Sequence, residues 1–156
     1  MSPNAKAFLD MIAHSEIGPA LLAVSDNGYN VIVGSTAKAP ILFSSYADHP
    51  RRKITLRNGI VSSAAGRYQI LGRYFDAYKK SLGLPDFSPD SQDRIALQMI
   101  KEQGAAAKVE AGYFEEALAL CSNIWASFPG AGYEGQRENK YSDLLAAYVA
   151  AGGALA

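Results

Sequence analysis

The chain has 156 residues, with 15 Lys and Arg against 15 Asp and Glu, a formal net charge of zero and 49% hydrophobic residues. That length carries a core of ordinary size without staples, and the charge balance excludes a polyanion held by bulk electrostatics, so no nucleic acid is expected. A single Cys121 excludes an internal disulfide, and Asp10, His14 and Glu16 interrupt the only N-terminal run that resembles an export signal, so synthesis in the cytoplasm is expected. No apolar run approaches the ~20 residues of a membrane span, and direct membrane insertion is not expected.

From Asn4 to Ser15 the apolar positions Ala5, Phe8, Leu9 and Ile12 have helical spacing, with Ser2 or Asn4 available as cap and Pro3 permitted at the start. From Ser25 to Ser63 the texture changes to short β-rich runs, Tyr29–Val33, Ile41–Phe43 and Lys53–Leu56, separated by Gly, Pro, Asn and Asp. Asn58-Gly59 between Leu56 and Ile60-Val61 predicts a hairpin turn. These runs predict a small antiparallel sheet inserted after the first helix.

Helical periodicity returns with Tyr68, Ile70, Leu71, Tyr74, Phe75 and Tyr78, a wide apolar stripe that predicts a long helix stopping at Gly83. Ser88-Pro89-Asp90 supplies a cap, a helix-start proline and a first-turn carboxylate ahead of Ile95, Met99 and Ile100. Tyr113–Ser122 and Glu138–Ala151 predict two more helices, joined through Asn123–Ala126, with the tail fraying at Gly152-Gly153. Cys121, in an apolar helical run, reads as a packing residue. With no internal repeat or linker, the expectation is a single domain over 1–156, α+β and mainly α, with a β-rich lobe at about 25–63 and a helical lobe for the remainder.

Glu16 is the residue that asks for an explanation. At about 100° per residue it falls within roughly 20° of Leu9 and 40° of Ile12, among the apolar positions of the first helix. In two-lobed proteins of this type a cleft opens where that helix ends, and a carboxyl desolvated there, at the negative end of a helix dipole, has its pKa raised. A carboxylic acid protonated near neutral pH is what a poor leaving group such as a glycosidic oxygen requires. The plain alternative is a helix-end Glu whose side chain swings to solvent.

A second constellation, Ser62-Ser63-Ala64-Ala65-Gly66-Arg67-Tyr68-Gln69, stands where strand gives way to helix. Gly66 permits close backbone approach, Tyr68 offers a face for a sugar ring, and Gln69 carries donor and acceptor in one planar group; the alternative is an ordinary helix start with Tyr68 in the core. Trp125–Tyr133 couples three aromatics to a Gly-rich turn, either a loop beside a cleft or a hinge with a core Trp. His49, Arg51, Arg52, Lys53 and Arg57 form the one basic run, a solvated hairpin or a lid meeting glycan carboxylates. The spacing of His14 and His49 implies no metal, and no Gly-rich phosphate loop is present.

Several of these segments, in order and across nearly the whole chain, carry a resemblance. Lys6–Met11, Ser15-Glu16, Gly28-Tyr29 with Val31–Gly34, Asp48–Arg51, Ala65–Gln69 and Cys121–Ser127 through Tyr133 resemble the lambda-type phage endolysins, peptidoglycan lytic transglycosylases. The resemblance implies a lysozyme-like fold with Glu16 at the catalytic glutamate. It also implies Ser15, Tyr29, Ser62, Arg67, Tyr68, Gln69, Asn123 and Tyr133 as glycan-binding residues, and no cofactor. The implied substrate is the glycan strand of peptidoglycan, the implied partner a holin or equivalent pore through which a monomeric enzyme reaches the wall. This sequence departs from the family at Ile17–Asn27 and Ser35–Ser44, and His14 and Tyr74-Phe75 stand where the family has Trp.

A typical glycosidase needs two carboxylates, about 5 to 5.5 Å apart for retention and roughly 6.5 to 9.5 Å for inversion. A transglycosylase needs one, because the muramoyl 6-hydroxyl supplies the nucleophile and closes on its own C1 to give a 1,6-anhydro sugar. Two rivals remain at this level: a hydrolytic muramidase using Asp26 as second carboxylate, and a non-catalytic glycan-binding module on the same fold.

Overall fold

The first helix, α1, runs Pro3–Glu16 and is capped as its sequence predicts, with the Ala5 amide donating to Ser2 Oγ at 3.1 Å. In this computed structural model residues 1–132 and 138–156 are described, and the chain divides into two compact units, Met1–Glu16 with Ala96–Ala156, and Ile17–Ile95. Among the described residues the remaining elements are α2 (Pro19–Ala23), β1 (Ile54–Thr55), β2 (Val61–Ser62), α3 (Gly72–Leu82), α4 (Pro89–Glu102), α5 (Ala106–Ala111), α6 (Phe114–Cys121) and α7 (Tyr141–Ala150). The fold is α+β and mainly α. No helix among the described residues is long and apolar enough to cross a membrane.

In the first unit α1 is buried on most of its circumference through Ala5, Ala7, Phe8, Leu9, Met11, Ile12 and Ala13, and it packs against α5 and α7. Phe114 of α6 anchors an aromatic cluster with Phe8 at 6.1 Å and Tyr148 at 4.7 Å between ring centroids. Cys121 is fully buried at the end of α6, a packing residue as expected. Helix α5 was not anticipated. Helix α7 begins later than the periodicity suggests, because the Glu138 carboxylate accepts the Gly130 and Gly132 amides instead of entering the helix. The tail does not fray at Gly152-Gly153. Tyr148 donates its hydroxyl to Ala154 O, the Ala154 amide donates to Asn4 Oδ1, and the Ala156 amide donates to Gly112 O.

In the second unit the sheet is smaller than the β-rich texture suggests. β1 and β2 pair antiparallel, Ile54 opposite Ser62 and Thr55 opposite Val61, around the expected Asn58-Gly59 turn, where Asn58 Oδ1 accepts the Ile60 amide. The runs at 29–33 and 41–43 contribute isolated bridges, Val31 to Leu42 and Ile32 to Ala65. Consecutive Val31 and Ile32 are both buried, so this segment does not alternate between a core face and a solvent face as a half-buried strand would. Pro19–Ala23, inside the segment Ile17–Asn27 where the sequence departs from the family, forms the short helix α2.

The aromatic stripe starting at Tyr68 also overstates its helix. Gln69 has a positive φ of 53° and Ile70 pairs with Ala65, so Ala65–Ile70 is a tight turn and α3 begins at Gly72, whose amide donates to Ser63 Oγ. Gly83 closes α3 in the left-handed conformation, and Ser88 accepts the Ser91 amide at the start of α4, both as expected. The core of this unit gathers Phe75, Phe87 and the imidazole of His49.

Candidate active site

Glu16 is the last residue of α1, partly buried, one turn beyond the fully buried Ile12. Burial pushes its carboxyl up to about 7, and the hydrogen bond from Ser127 Oγ to Oε2, 3.1 Å long, acts the other way with smaller effect. Ser127 Oγ also lies 2.7 Å from Ser15 Oγ. Asn139 closes the group: its Nδ2 lies 3.0 Å from Ser15 Oγ and 3.1 Å from Ser15 O, and its backbone amide donates to Ser127 O. The turn carrying Ser127 is fixed from within by buried Trp125 and Phe128, ring centroids 5.7 Å apart. Trp125 is therefore a core residue.

A carboxyl with this environment holds its proton near neutral pH and, once ionised, keeps one hydroxyl donor. Those are the requirements of a group that acts first as acid and then as base. Of the expected residues, Ser15 and Glu16 are thus brought together. Asn123 is exposed, with Nδ2 donating to Gln103 Oε1 at 2.8 Å. Tyr133 lies outside the described residues.

The second unit builds its own cluster around Asp93. Oδ1 of Asp93 accepts the hydroxyls of both Tyr29 and Tyr68, and the Arg67 guanidinium stands 5.2 Å from the Tyr29 ring centroid and 6.0 Å from that of Tyr68. Burial, followed by the charge of Asp93, pushes the Tyr29 phenol up to about 12 and that of Tyr68 further in the same direction. Gln92 ties the backbone beneath: its Oε1 accepts the Arg67 amide at 2.9 Å, and its Nε2 donates to Tyr29 O and Phe87 O. Gly66, with φ of 83°, lets Gln92 lie against the chain, since a Cβ there would run into its amide.

This placement corrects one expectation and refines others. Tyr68 is 1% exposed, so its ring packs the core and offers no face to a sugar. Arg67, 4% exposed, donates from Nη1 to Asn27 O and braces the Ala65–Ile70 turn. Tyr29 and Gln69 are half-buried, and Gln69 spends its Nε2 on Gly66 O at 2.9 Å. Ser62 is half-buried on β2 and accepts the Ala64 amide at 3.2 Å. Asp26 is exposed and accepts the Tyr46 hydroxyl.

The basic run divides. His49 is 2% exposed and belongs to the core: Nδ1 accepts the Arg51 amide, Nε2 donates to Ile70 O, and burial holds its pKa below the ordinary value. Arg51 is consumed by a two-pronged pair with Asp76 and a further contact to Asp48. Beside them an open cleft of about 660 Å³ is lined by Lys53, Val61, Ser62, Gly72 and Arg73. No group of three or more His, Cys, Asp or Glu among the described residues is placed to hold a metal.

Sequence reasoning missed Ser127, Asn139, Gln92 and Asp93. Ser127 stood inside a segment already singled out. Asn139 falls inside the helix the sequence predicts over Glu138–Ala151, and Asp93 and Gln92, polar positions after the Ser88-Pro89-Asp90 helix start, carry no local signal.

The family model for endolysins matches residues 6–155. The endolysin of Escherichia phage lambda is 52% identical over 149 residues, covering 95% of this chain and 90% of that protein. The endolysin of Escherichia phage P2 is 48% identical over 96% of this chain and 93% of its own length. The solved structure of bacteriophage lambda lysozyme complexed with a chitohexasaccharide superposes with a TM-score of 0.92 at 48% identity, covering 100% of this chain and 98% of the other. With its lysozyme-like α+β fold and a match over nearly its whole length, the chain belongs to the endolysin family.

Proposed function

We propose that this endolysin cleaves the β-1,4 bond between N-acetylmuramic acid and N-acetylglucosamine in peptidoglycan by non-hydrolytic transglycosylation, with Glu16 as acid and then base. As a lysozyme-type endolysin it acts on the cell wall. That the related lambda lysozyme was solved with a chitohexasaccharide supports a glycan substrate here. The observation that carries the reading is the carboxyl of Glu16, raised to about 7 by burial and served by one hydroxyl donor.

In the first half of the reaction Glu16 gives its proton to the glycosidic oxygen, the bond from the muramoyl C1 to that oxygen breaks, and glucosamine leaves with a free 4-hydroxyl. In the second half the Glu16 carboxylate takes the proton of the muramoyl 6-hydroxyl while O6 bonds to C1. The ring closes as a 1,6-anhydro sugar and Glu16 is protonated again. Because the nucleophile is part of the substrate, its effective concentration is high and no water needs positioning. Ser15, Tyr29, Ser62, Gln69, Asn123 and Tyr133 are proposed as glycan contacts, and Arg67 and Tyr68 as braces of the Ala65–Ile70 turn.

Such an enzyme reaches the wall after the membrane is opened, so a holin or equivalent pore is its proposed partner, with the enzyme itself a monomer. The deciding experiment is mass spectrometry of digested peptidoglycan. Anhydro-muramoyl ends that resist borohydride are expected; a product spectrum dominated by reducing ends would establish hydrolysis instead.

A further inference from the structure

A chain of hydrogen-bonding groups ends on Glu16, and its direction is fixed at the far end. Asn139 Nδ2 lies 3.0 Å from Ser15 Oγ, Ser15 Oγ lies 2.7 Å from Ser127 Oγ, and Ser127 Oγ lies 3.1 Å from Glu16 Oε2. Each hydroxyl has one proton and, taken alone, points either way along the chain. The amide of Asn139 does not have that freedom. Its Nδ2 also faces two backbone carbonyl oxygens, Ser15 O at 3.1 Å and Ser127 O at 3.3 Å, and carbonyls only accept, so the nitrogen and not the oxygen must occupy this side. Asn139 therefore donates to Ser15. With that acceptor position filled, the Ser15 proton turns to Ser127, and the Ser127 proton turns to Glu16.

We infer that Asn139 is a positioning residue for the acid: it orients the Ser15–Ser127 chain so that Oε2 of Glu16 is held as an acceptor and the transferable proton resides on Oε1. The inference rests on the reading of Glu16 as the acid. Before proton transfer the chain selects the oxygen that acts; afterwards the same Ser127 bond stabilises the carboxylate that must collect the second proton. Among the described residues, burial and the Ser127 bond are the influences on the Glu16 pKa. His14 on α1, Glu138 and Lys140 beside Asn139, and Asp143 in the first turn of α7 are not among them. A change at Asn139 therefore reaches the acid through the chain.

The test is the pH dependence of lysis by Ser127→Ala, Asn139→Ala and the double variant. An acid must be protonated, so activity falls as pH rises through its pKa. Loss of the Ser127 donor raises that pKa, and the falling limb should move to higher pH by about half a unit or more in both single variants. In the Ser127→Ala background, Asn139→Ala should move it no further, because the relay is already cut. Asn139→Leu, which keeps the size of the side chain and adds no charge but cannot donate, should move the limb in the same direction; it serves if Asn139→Ala fails to fold. A folded Asn139 variant that is slower with its limb unmoved, or shifts that add in the double variant, would overturn the inference. Failure of the underlying reading is separate: there Glu16→Gln would remain active.

Discussion

Glu16 and Ser127 stand 111 residues apart in the chain, yet among the described residues the Ser127 hydroxyl is the side-chain donor that acts on the Glu16 pKa. Burial outweighs that donor. The folded pKa, about 7, lies above the ordinary 4.5, so between those values the folded chain binds more protons than the unfolded chain and stability falls as pH rises through the window. The full interval corresponds to on the order of 3 kcal/mol. Glu16→Gln is expected to fold normally and to lose this decline, gaining stability over the native protein at pH 8 and little at pH 4 in urea denaturation. The same variant should lose essentially all lytic activity, since an amide cannot give and recover a proton. Retention of more than about a tenth of the rate, a step of only ~1.4 kcal/mol, would remove Glu16 from its role.

His49 imposes the opposite slope. Both ring nitrogens are satisfied in the neutral form, and burial depresses the pKa below its ordinary 6.5. The unfolded chain then takes up a proton that the folded chain resists, and stability is lost as pH falls below 6.5. The carboxylates Asp48, Asp76 and Asp86, held below their ordinary 3.8, act at lower pH and do not confuse the window. Because Glu16 acts in the opposite sense across the same window, the comparison is made in Glu16→Gln: there His49→Gln should flatten the decline between pH 6.5 and 5, as read by denaturation midpoints, and an unchanged slope would show that another group is responsible.

Gly66 tests the support of the second cluster. A Cβ at this position would collide with the Gln92 amide and approach the Phe87 ring to 3.0 Å, and the positive φ adds strain of its own. Gln92 cannot simply move aside, because it holds Arg67, Tyr29 and Phe87 at once. Gly66→Ala should destabilise the protein by roughly 2–4 kcal/mol, measured by thermal or chemical denaturation, with lytic activity falling in step. A loss under ~0.5 kcal/mol would mean that the Ala65–Ile70 turn relaxes freely.

The sequence displayed what local chemistry decides and hid what distant chain segments decide together. Ser2, Ser88, Gly83 and Asn58-Gly59 are signals whose effect is confined to a turn or a helix end, and each acts as read. Glu16 was legible because a carboxylate on an apolar helical face violates a local rule. The runs at 29–33 and 41–43 have strand composition, but whether they pair is decided by packing that consecutive burial of Val31 and Ile32 makes visible only in three dimensions. Tyr68 reads alike as sugar platform or core until Asp93, on α4, claims its hydroxyl. Asn139 is the extreme case, since its meaning depends on Ser15, 124 positions earlier.

Asp26 is where the two possible enzyme mechanisms diverge most. In a hydrolase a second carboxylate directs water or stabilises the cationic transition state, and its loss costs several kcal/mol. A transglycosylase has no such role to fill. The local structure gives Asp26 other work: its carboxylate accepts the Tyr46 hydroxyl, and its backbone amide donates to Asn30 Oδ1 in the turn leading to Tyr29. Asparagine keeps a carbonyl oxygen for Tyr46 and suits a turn as well as aspartate does. Asp26→Asn should therefore stay within roughly tenfold of native activity and cost no more than ~1 kcal/mol of stability. The measurement is the initial lysis rate of the purified variant on chloroform-treated Gram-negative cells, with circular dichroism to establish folding. A folded but inactive Asp26→Asn would transfer the second catalytic role to this carboxylate and with it favour water, in place of the muramoyl 6-hydroxyl, as the nucleophile.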